Sequence, residues 1–139
     1  MPLTITIVTP ERRLANGQAI HQAELPGLDG RFGVLENHTH TLSPLAVGEI
    51  RLLAPDGKVA RRFAAAGGFV EVSPERVVVT SPAAEPADEI AADRARAAKE
   101  RAEKRLAAPA PDTDLERAQA ALARAANRLR VAQAHAADS

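Results

Sequence analysis

Thr80-Ser81-Pro82-Ala83-Ala84-Glu85-Pro86-Ala87 divides the chain into two kinds of sequence. Upstream, short apolar runs are cut by glycine and proline. Downstream, the chain is almost wholly Ala, Arg, Glu and Lys. Each proline removes a backbone donor and biases the residue before it toward extended backbone, so a helix cannot run through this junction. The sequence therefore predicts a β domain over residues 1–84 and a helical domain over residues 85–139. A length of 139 residues suits one domain, or one small domain with an appendage.

Moving upstream, Leu3, Ile5 and Ile7 alternate with Thr4, Thr6 and Val8, the period-two pattern of a strand with one buried face. Turn signals recur at Asn16-Gly17, Pro26-Gly27, Asp29-Gly30, Asp56-Gly57, Gly67-Gly68 and Ser73-Pro74. Between them lie Phe32-Gly33-Val34-Leu35, Ile50-Arg51-Leu52-Leu53, Phe69-Val70-Glu71-Val72 and Val77-Val78-Val79. Short strands at this spacing, with no helical stretch among them, point to a sandwich or a barrel. Asp56-Gly57 between Leu52-Leu53 and Val59 is the clearest hairpin. Gly67-Gly68 reads as a tight turn or bulge.

Moving downstream, residues 87–108 contain no Pro or Gly, and alanine has the highest helix propensity. Asp88 and Glu89 would open a helix that Lys104 and Arg105 close, as the macrodipole prefers. Ala91, Ala95, Ala98, Ala102 and Leu106 form one stripe. Pro109-Ala110-Pro111 breaks that helix, and Thr113-Asp114-Leu115-Glu116 fits a capping box that starts another. Leu115, Ala118, Leu122, Ala125, Leu129 and Ala132 recur three and four apart as a narrow seam. Two such helices joined by a short loop would pack antiparallel. Each buried alanine methyl contributes only about 0.8 kcal/mol, so the hairpin should be weakly held.

The totals exclude several classes. Lys+Arg and Asp+Glu are both 18, leaving no bulk field for nucleic acid or an anionic membrane. Three aromatics, Phe32, Phe63 and Phe69, cannot build a stacking surface for single strands. With no cysteine, disulfides and thiolate metal sites are excluded. No apolar run approaches the ~20 residues that span a bilayer. Met1-Pro2-Leu3-Thr4 lacks the pattern of a signal peptide, so a soluble protein in a reducing compartment is expected.

Gly27, Gly30 and Gly33 are spaced like a phosphate loop, but a strand follows them rather than a helix, so they read as turn glycines. His38 and His40 would share one strand face, without the third ligand that zinc requires. There is no G-x-S-x-G elbow and no acid pair beside a base, so no catalytic residue is assigned. Arg94, Arg124 and Arg128 would ordinarily be solvated helix faces. Residues 114–136 carry Arg117, Arg124, Arg128 and Arg130 against Asp114 and Glu116, which suits recognition of an anion or an acidic protein.

Leu25-Pro26-Gly27-Leu28-Asp29-Gly30-Arg31-Phe32-Gly33-Val34-Leu35-Glu36-Asn37-His38 resembles a signature of the epsilon subunit of rotary F-type ATP synthases. Pro44-Leu45 to Gly48-Glu49-Ile50-Arg51 continues the resemblance, and Gly67-Gly68-Phe69-Val70-Glu71-Val72 is similar to a second signature. Residues 93–103 and 124–129 resemble the family's helical arm. The resemblance implies an N-terminal β-sandwich followed by a C-terminal antiparallel two-helix hairpin. It implies a non-catalytic rotor subunit on the cytoplasmic face of a bacterial inner membrane, without insertion into the bilayer. Its expected partners are the gamma subunit, the ring of c subunits and, through extended C-terminal helices, the alpha/beta catalytic head, where it would inhibit ATP hydrolysis. The implied partner contacts are Gly30, Arg31, Asn37, His38, Arg117, Arg124 and Arg128. Glu36-Asn37 stands where the family often has Pro-Gly.

Some members bind ATP in the folded hairpin. Ile90, Arg94, Arg124 and Arg128 match that motif and Glu85 matches an upstream acid, but Ala91 replaces the motif acid. No cofactor is required, and ATP held by Glu85, Ile90, Arg94, Arg124 and Arg128 stays open as the alternative that the resemblance implies. A free ATP sensor and an unrelated sandwich adaptor with a helical arm are the competing readings.

Overall fold

Alternation of apolar and polar residues produces β1 (Leu3–Val8), in which Leu3, Ile5 and Ile7 are buried and the residues between them are half-exposed. The computed structural model describes residues 3–138. Among them follow β2 (Arg13–Ile20), β3 (Gln22–Gly27), β4 (Gly30–Leu35), β5 (Thr41–Leu53), β6 (Val59–Val72), β7 (Arg76–Thr80) and β8 (Ala84–Pro86). Hydrogen bonding runs in the order β2-β1-β7-β6-β5-β3-β4, with β8 added to β6. The pairs are antiparallel except β1 with β7, where Ile5 lies parallel to Val77.

A flat sheet in that order would hold β1 and β4 about 24 Å apart, at roughly 4.8 Å per strand. Instead Ile5 and Ile7 of β1, Leu25 of β3 and Val34 of β4 belong to one buried cluster with Ile50 and Phe63. The sheet therefore closes over on itself as a β-sandwich.

The closure is visible in β5 and β6. On β6 the buried cluster takes Phe63 and Ala65, then Val70 and Val72, so its phase changes from odd to even positions. On β5 it takes Leu45, then Ile50 and Leu52. The strands keep register through this change, with Leu45 opposite Gly68, Val47 opposite Ala66 and Gly48 opposite Ala65. Both strands thus exchange faces at one level, which a regular strand of period two cannot do. Gly67 at φ 83° and Gly68 at φ 114° permit it. A Cβ on Gly68 would lie 2.1 Å from the Thr80 carbonyl oxygen.

Three turn readings are corrected here. Gly67-Gly68 makes neither a turn nor a bulge, because β6 runs through it in unbroken register with β5. Asn16-Gly17 lies inside β2, where the register slips and the Gly17 N–H donates to Thr6 Oγ1 at 3.0 Å, which makes it a bulge. Gly33 sits mid-strand opposite Glu24, while Gly27 and Gly30 flank the two-residue β3–β4 turn. The hairpin at Asp56-Gly57 forms as read, with the Lys58 N–H donating to Asp56 Oδ1 at 2.9 Å.

The chain separates into two compact units, through Pro86 and from Ala87. The second contains a 3-10 turn at Ala87–Glu89, α1 (Ala92–Ala107) and α2 (Leu115–Ala137). Helix α1 begins five residues later than the composition suggests. Ala87, in the 3-10 turn, and Ile90, just after it, are buried, and Ala91 caps the helix with no side-chain hydrogen bond. The cap of α2 is Asp114 rather than Thr113, its carboxylate accepting the Arg117 N–H at 3.1 Å. The helices pack side by side, and the 3-10 turn touches α2, so α2 returns antiparallel past the start of α1. Ala95 and Ala102 of α1 are buried, as are Ala118, Ala125, Leu129 and Ala132 of α2. Leu115 is 49% exposed, outside the expected seam. Asn127 and Val131 are buried off that seam, so burial spreads round the second half of α2.

Replacing Gly68 with alanine should lower the unfolding free energy by about 3 kcal/mol, since strain and a backbone collision combine. Gly57→Ala, at φ 84° with nothing within 4 Å of its Cβ, should cost only about 1 kcal/mol. Urea unfolding of the two variants measures the difference.

Candidate functional site

Strand pairing aligns a row of charges across the outer face of the sandwich. Arg51 of β5 stands opposite Glu24 of β3 and Arg62 of β6. Glu49, two residues back on β5, shares the face of Arg51. Its carboxylate accepts from Arg62 Nη1 at 3.1 Å through both oxygens and also pairs with Arg51 Nε. The Glu49 and Arg62 side chains are only 12% and 13% exposed. Arg51 Nη1 also reaches Glu24 Oε1 at 3.6 Å. Arg31 on β4 is diagonal to Glu24, since Glu24 opposes Gly33. Burial, and then the Arg51 guanidinium, lower the Arg31 pKa from its usual value, against the opposing pull of Glu49 and Glu24. Sequence reading missed Glu24, Glu49 and Arg62 as a group, because cross-strand register is what assembles them.

The residues expected to meet partners on the sandwich fall at two separate places. Gly30 and Arg31 follow the β3–β4 turn, whereas Asn37 and His38 follow the far end of β4. The six residues of β4 separate these places by about 17 Å at ~3.3 Å per step. Asn37 has a left-handed φ of 67°, and its N–H donates to the Pro74 carbonyl at 2.8 Å, tying this loop to the β6–β7 turn. The His38 Nδ1 donates to the Thr39 carbonyl at 2.7 Å. His38 and His40 lie in this loop, which corrects their placement on a strand. Asn37, Leu3, Ile20, Leu35 and Leu52 line an open hollow of about 730 Å³.

A second surface is apolar. Leu42 is 72% exposed, Phe69 58% and Leu28 62%. Phe69 opposes the exposed Pro44, and Leu42 opposes Glu71, so all four share the outer face. The Leu28 N–H donates to the Pro44 carbonyl at 3.1 Å, joining the hairpin tip to this patch. The sequence does hold a signal for it: with Val70 and Val72 inward, Phe69 must share the face of Glu71.

In the helical unit, Arg117, Arg124 and Arg128 fall within about 40° of one another round α2, at ~100° per residue. Arg117 and Arg124 are exposed and Arg128 is half-buried. Arg94 is exposed in the first turn of α1, Ile90 is buried before it, and Ala91 supplies only its backbone. Glu85 lies in the first unit, on β8 opposite Ala64. Among the described residues no three His, Cys, Asp or Glu converge as a metal site, and no helix is long and apolar enough to cross a membrane.

Residues 2–87 match the family described as the ATP synthase delta/epsilon chain beta-sandwich domain, and residues 88–133 match its long alpha-helix domain. The ATP synthase epsilon chain of Syntrophobacter fumaroxidans is 45% identical over 105 residues, covering 76% of each chain. That of Nitratidesulfovibrio vulgaris strain DP4 is 46% identical over 105 residues, again 76% of each. The fold is similar to a chain in the Euglena gracilis mitochondrial ATP synthase OSCP/F1/c-ring structure. The TM-score is 0.75 at 22% identity, over 88% of this chain and 76% of that one.

Removing the Glu49 carboxylate leaves two partly buried guanidinium groups without their shared acceptor. Glu49→Ala should therefore destabilise the protein by about 2 kcal/mol, discounted from a fully buried pair for residual exposure. Asp93→Ala, which breaks the exposed pair with Arg96, should leave the unfolding midpoint unchanged. Chemical denaturation of both variants reads the contrast.

Proposed function

This chain belongs to the ATP synthase delta/epsilon family, and from that premise we propose that it is a non-catalytic subunit of the central stalk. Residues 1–84 would clamp the gamma subunit and rest on the c ring. Residues 85–139 would restrain ATP hydrolysis by reaching the alpha/beta head. The protein would be held peripherally at the cytoplasmic face of a bacterial inner membrane, and would couple ion flow through the ring to ATP synthesis by turning with it. No nucleotide enters this reading.

The observation that carries the clamp is the exposed apolar face of Leu28, Leu42, Pro44 and Phe69. Apolar surface left in water forgoes about 25 cal/mol per Å², and contiguous patches of this kind mark partner interfaces. Gamma would cover this face. Gly30 and Arg31 would face the ring and Asn37 and His38 the foot of gamma, two contacts that the length of β4 keeps apart.

The arm reading rests on different features. The α1–α2 contact is rich in alanine, whose methyls contribute only about 0.8 kcal/mol each. Helix α1 also starts without a side-chain cap. Such a hairpin opens more readily than the sandwich unfolds. The stripe of Arg117, Arg124 and Arg128 would then meet acidic loops of the head.

Wild-type chain should co-purify with gamma, while Phe69→Asp should weaken that binding by about tenfold or more as a charge enters an apolar contact. Undiminished binding would remove this face from the interface. Deleting residues 85–139 should raise ATP hydrolysis by the reconstituted complex, and reversing Arg124 and Arg128 to Glu should raise it partway. Hydrolysis unchanged under every nucleotide and proton-gradient condition would sink the inhibitory role and leave the clamp standing.

A further inference from the structure

Strand β8 stands outside the path that joins the other seven strands, and pairs along β6. It opposes Phe63, Ala64 and Ala65, a part of β6 that β7 does not reach, since β7 pairs with β6 over residues 69–72. The Ala66 N–H donates to the Ala83 carbonyl at 2.8 Å, so in an antiparallel ladder the next pair to exchange hydrogen bonds is Ala64 with Glu85. Pro82 and Pro86 fall at the alternate positions, where no donor toward β6 is needed. Strand β8 buries Pro86 and only half-buries Ala84 and Glu85. Strand β7, paired with both β1 and β6, buries Val77 and Val79 completely. The chain before β8 is fixed separately. Ser81 is buried, its N–H donates to the Val8 carbonyl at 3.0 Å, and its hydroxyl donates to the Ala83 carbonyl at 2.9 Å. Pro82 and Ala83 are exposed.

We propose that β8 is a detachable strap, hinged at Pro82 and closed by the Ser81 hydroxyl, and that its release from β6 lengthens the tether of the helical unit. This rests on the arm reading above and names what must open for the arm to reach its target. Paired, β8 anchors the chain at Pro86, and residues 87–91 alone separate that anchor from α1. Unpaired, residues 82–86 join the tether and add about 17 Å at ~3.4 Å per residue. A three-residue ladder with two small side chains makes β8 the strand that opens first, because local opening costs only the contacts it breaks. Ser81 sets the balance. Its hydroxyl and the Ala66 N–H share the Ala83 carbonyl, so the hydroxyl holds the start of the strap against β6. Ser81 itself stays in place when the strap lifts, because its N–H is bonded to Val8 of β1.

The test uses the full-length chain, first alone and then in the reconstituted complex. In hydrogen exchange the Ala66 and Glu85 amides should exchange about a hundredfold faster than the amides of the β6–β7 ladder. Ser81→Ala should speed those two amides several-fold more and leave the β6–β7 ladder unchanged. Equal protection of both ladders would mean that β8 opens only with the whole sandwich, and would overturn the proposal. A second measurement locks the strap. The chain has no cysteine, so Ala65→Cys with Ala84→Cys supplies a single disulfide, across a pair that exchanges no hydrogen bonds and brings its Cβ atoms closest. Oxidised, this variant should bind the complex yet hydrolyse ATP as fast as the complex whose chain lacks residues 85–139. Reduced, it should be restrained like wild type. If the disulfide does not form, the exchange rates of wild type and Ser81→Ala still decide. If the deletion raises hydrolysis and the oxidised variant stays restrained, the strap is wrong and the arm reading survives. If the deletion leaves hydrolysis unchanged, the arm reading falls and the strap's role falls with it.

Discussion

The sandwich depends on one backbone constraint, the exchange of faces that β5 and β6 undergo together beside Gly67-Gly68. A strand presents alternate residues to one side, so a long strand pair can serve two layers only if its phase is reset. Leu45 and Val70 point into the core from one side of this reset, Ile50 and Phe63 from the other. The two positive φ values accomplish it without a register slip. The missing Cβ of Gly68 lets β6 lie against the Thr80 carbonyl. Closure of the sheet then buries the Leu, Ile, Val and Ala core with Phe63 as its one fully buried aromatic side chain.

What closure leaves outside is informative. The inner face takes Leu, Ile, Val, Ala and Phe63. The outer face divides between a charged row, in which Glu49 is shared by Arg51 and Arg62, and an apolar patch centred on Phe69 and Pro44. A sandwich that needed only to be soluble would not keep a phenylalanine and two leucines more than half exposed there. In the charged row the two most buried members, Glu49 and Arg62, pair with each other, and Arg31 lies on β4 at the end of the sheet path.

Several elements were legible before any fold was known. The strand at Leu3–Val8, the Asp56-Gly57 hairpin and the two helices all follow from signals within a few residues of each other. The errors share a cause. Asn16-Gly17 and Gly67-Gly68 carry turn chemistry, yet pairing with β1 and β5 holds them in strands as a bulge and a bend. The composition after Ala87 is helical, yet Ala87–Glu89 forms a 3-10 turn, flanked by the buried Ala87 and Ile90, before α1 begins at Ala92. Thr113 offered a cap and Asp114, one residue later, provided it.

The sequence by itself determined the order β then α, the alanine-built hairpin and the family to which the chain belongs. These depend on local propensity and on ordered short motifs, both readable along one dimension. Only the tertiary structure decided which residues act together. Glu24, Glu49, Arg51 and Arg62 are scattered over 39 positions and become one network through cross-strand register. Leu28, Leu42, Pro44 and Phe69 become one patch through a hairpin contact and a strand pair. Gly30-Arg31 and Asn37-His38 are close in sequence but stand at opposite ends of β4, because an extended strand converts a few residues into the longest distance the chain can span.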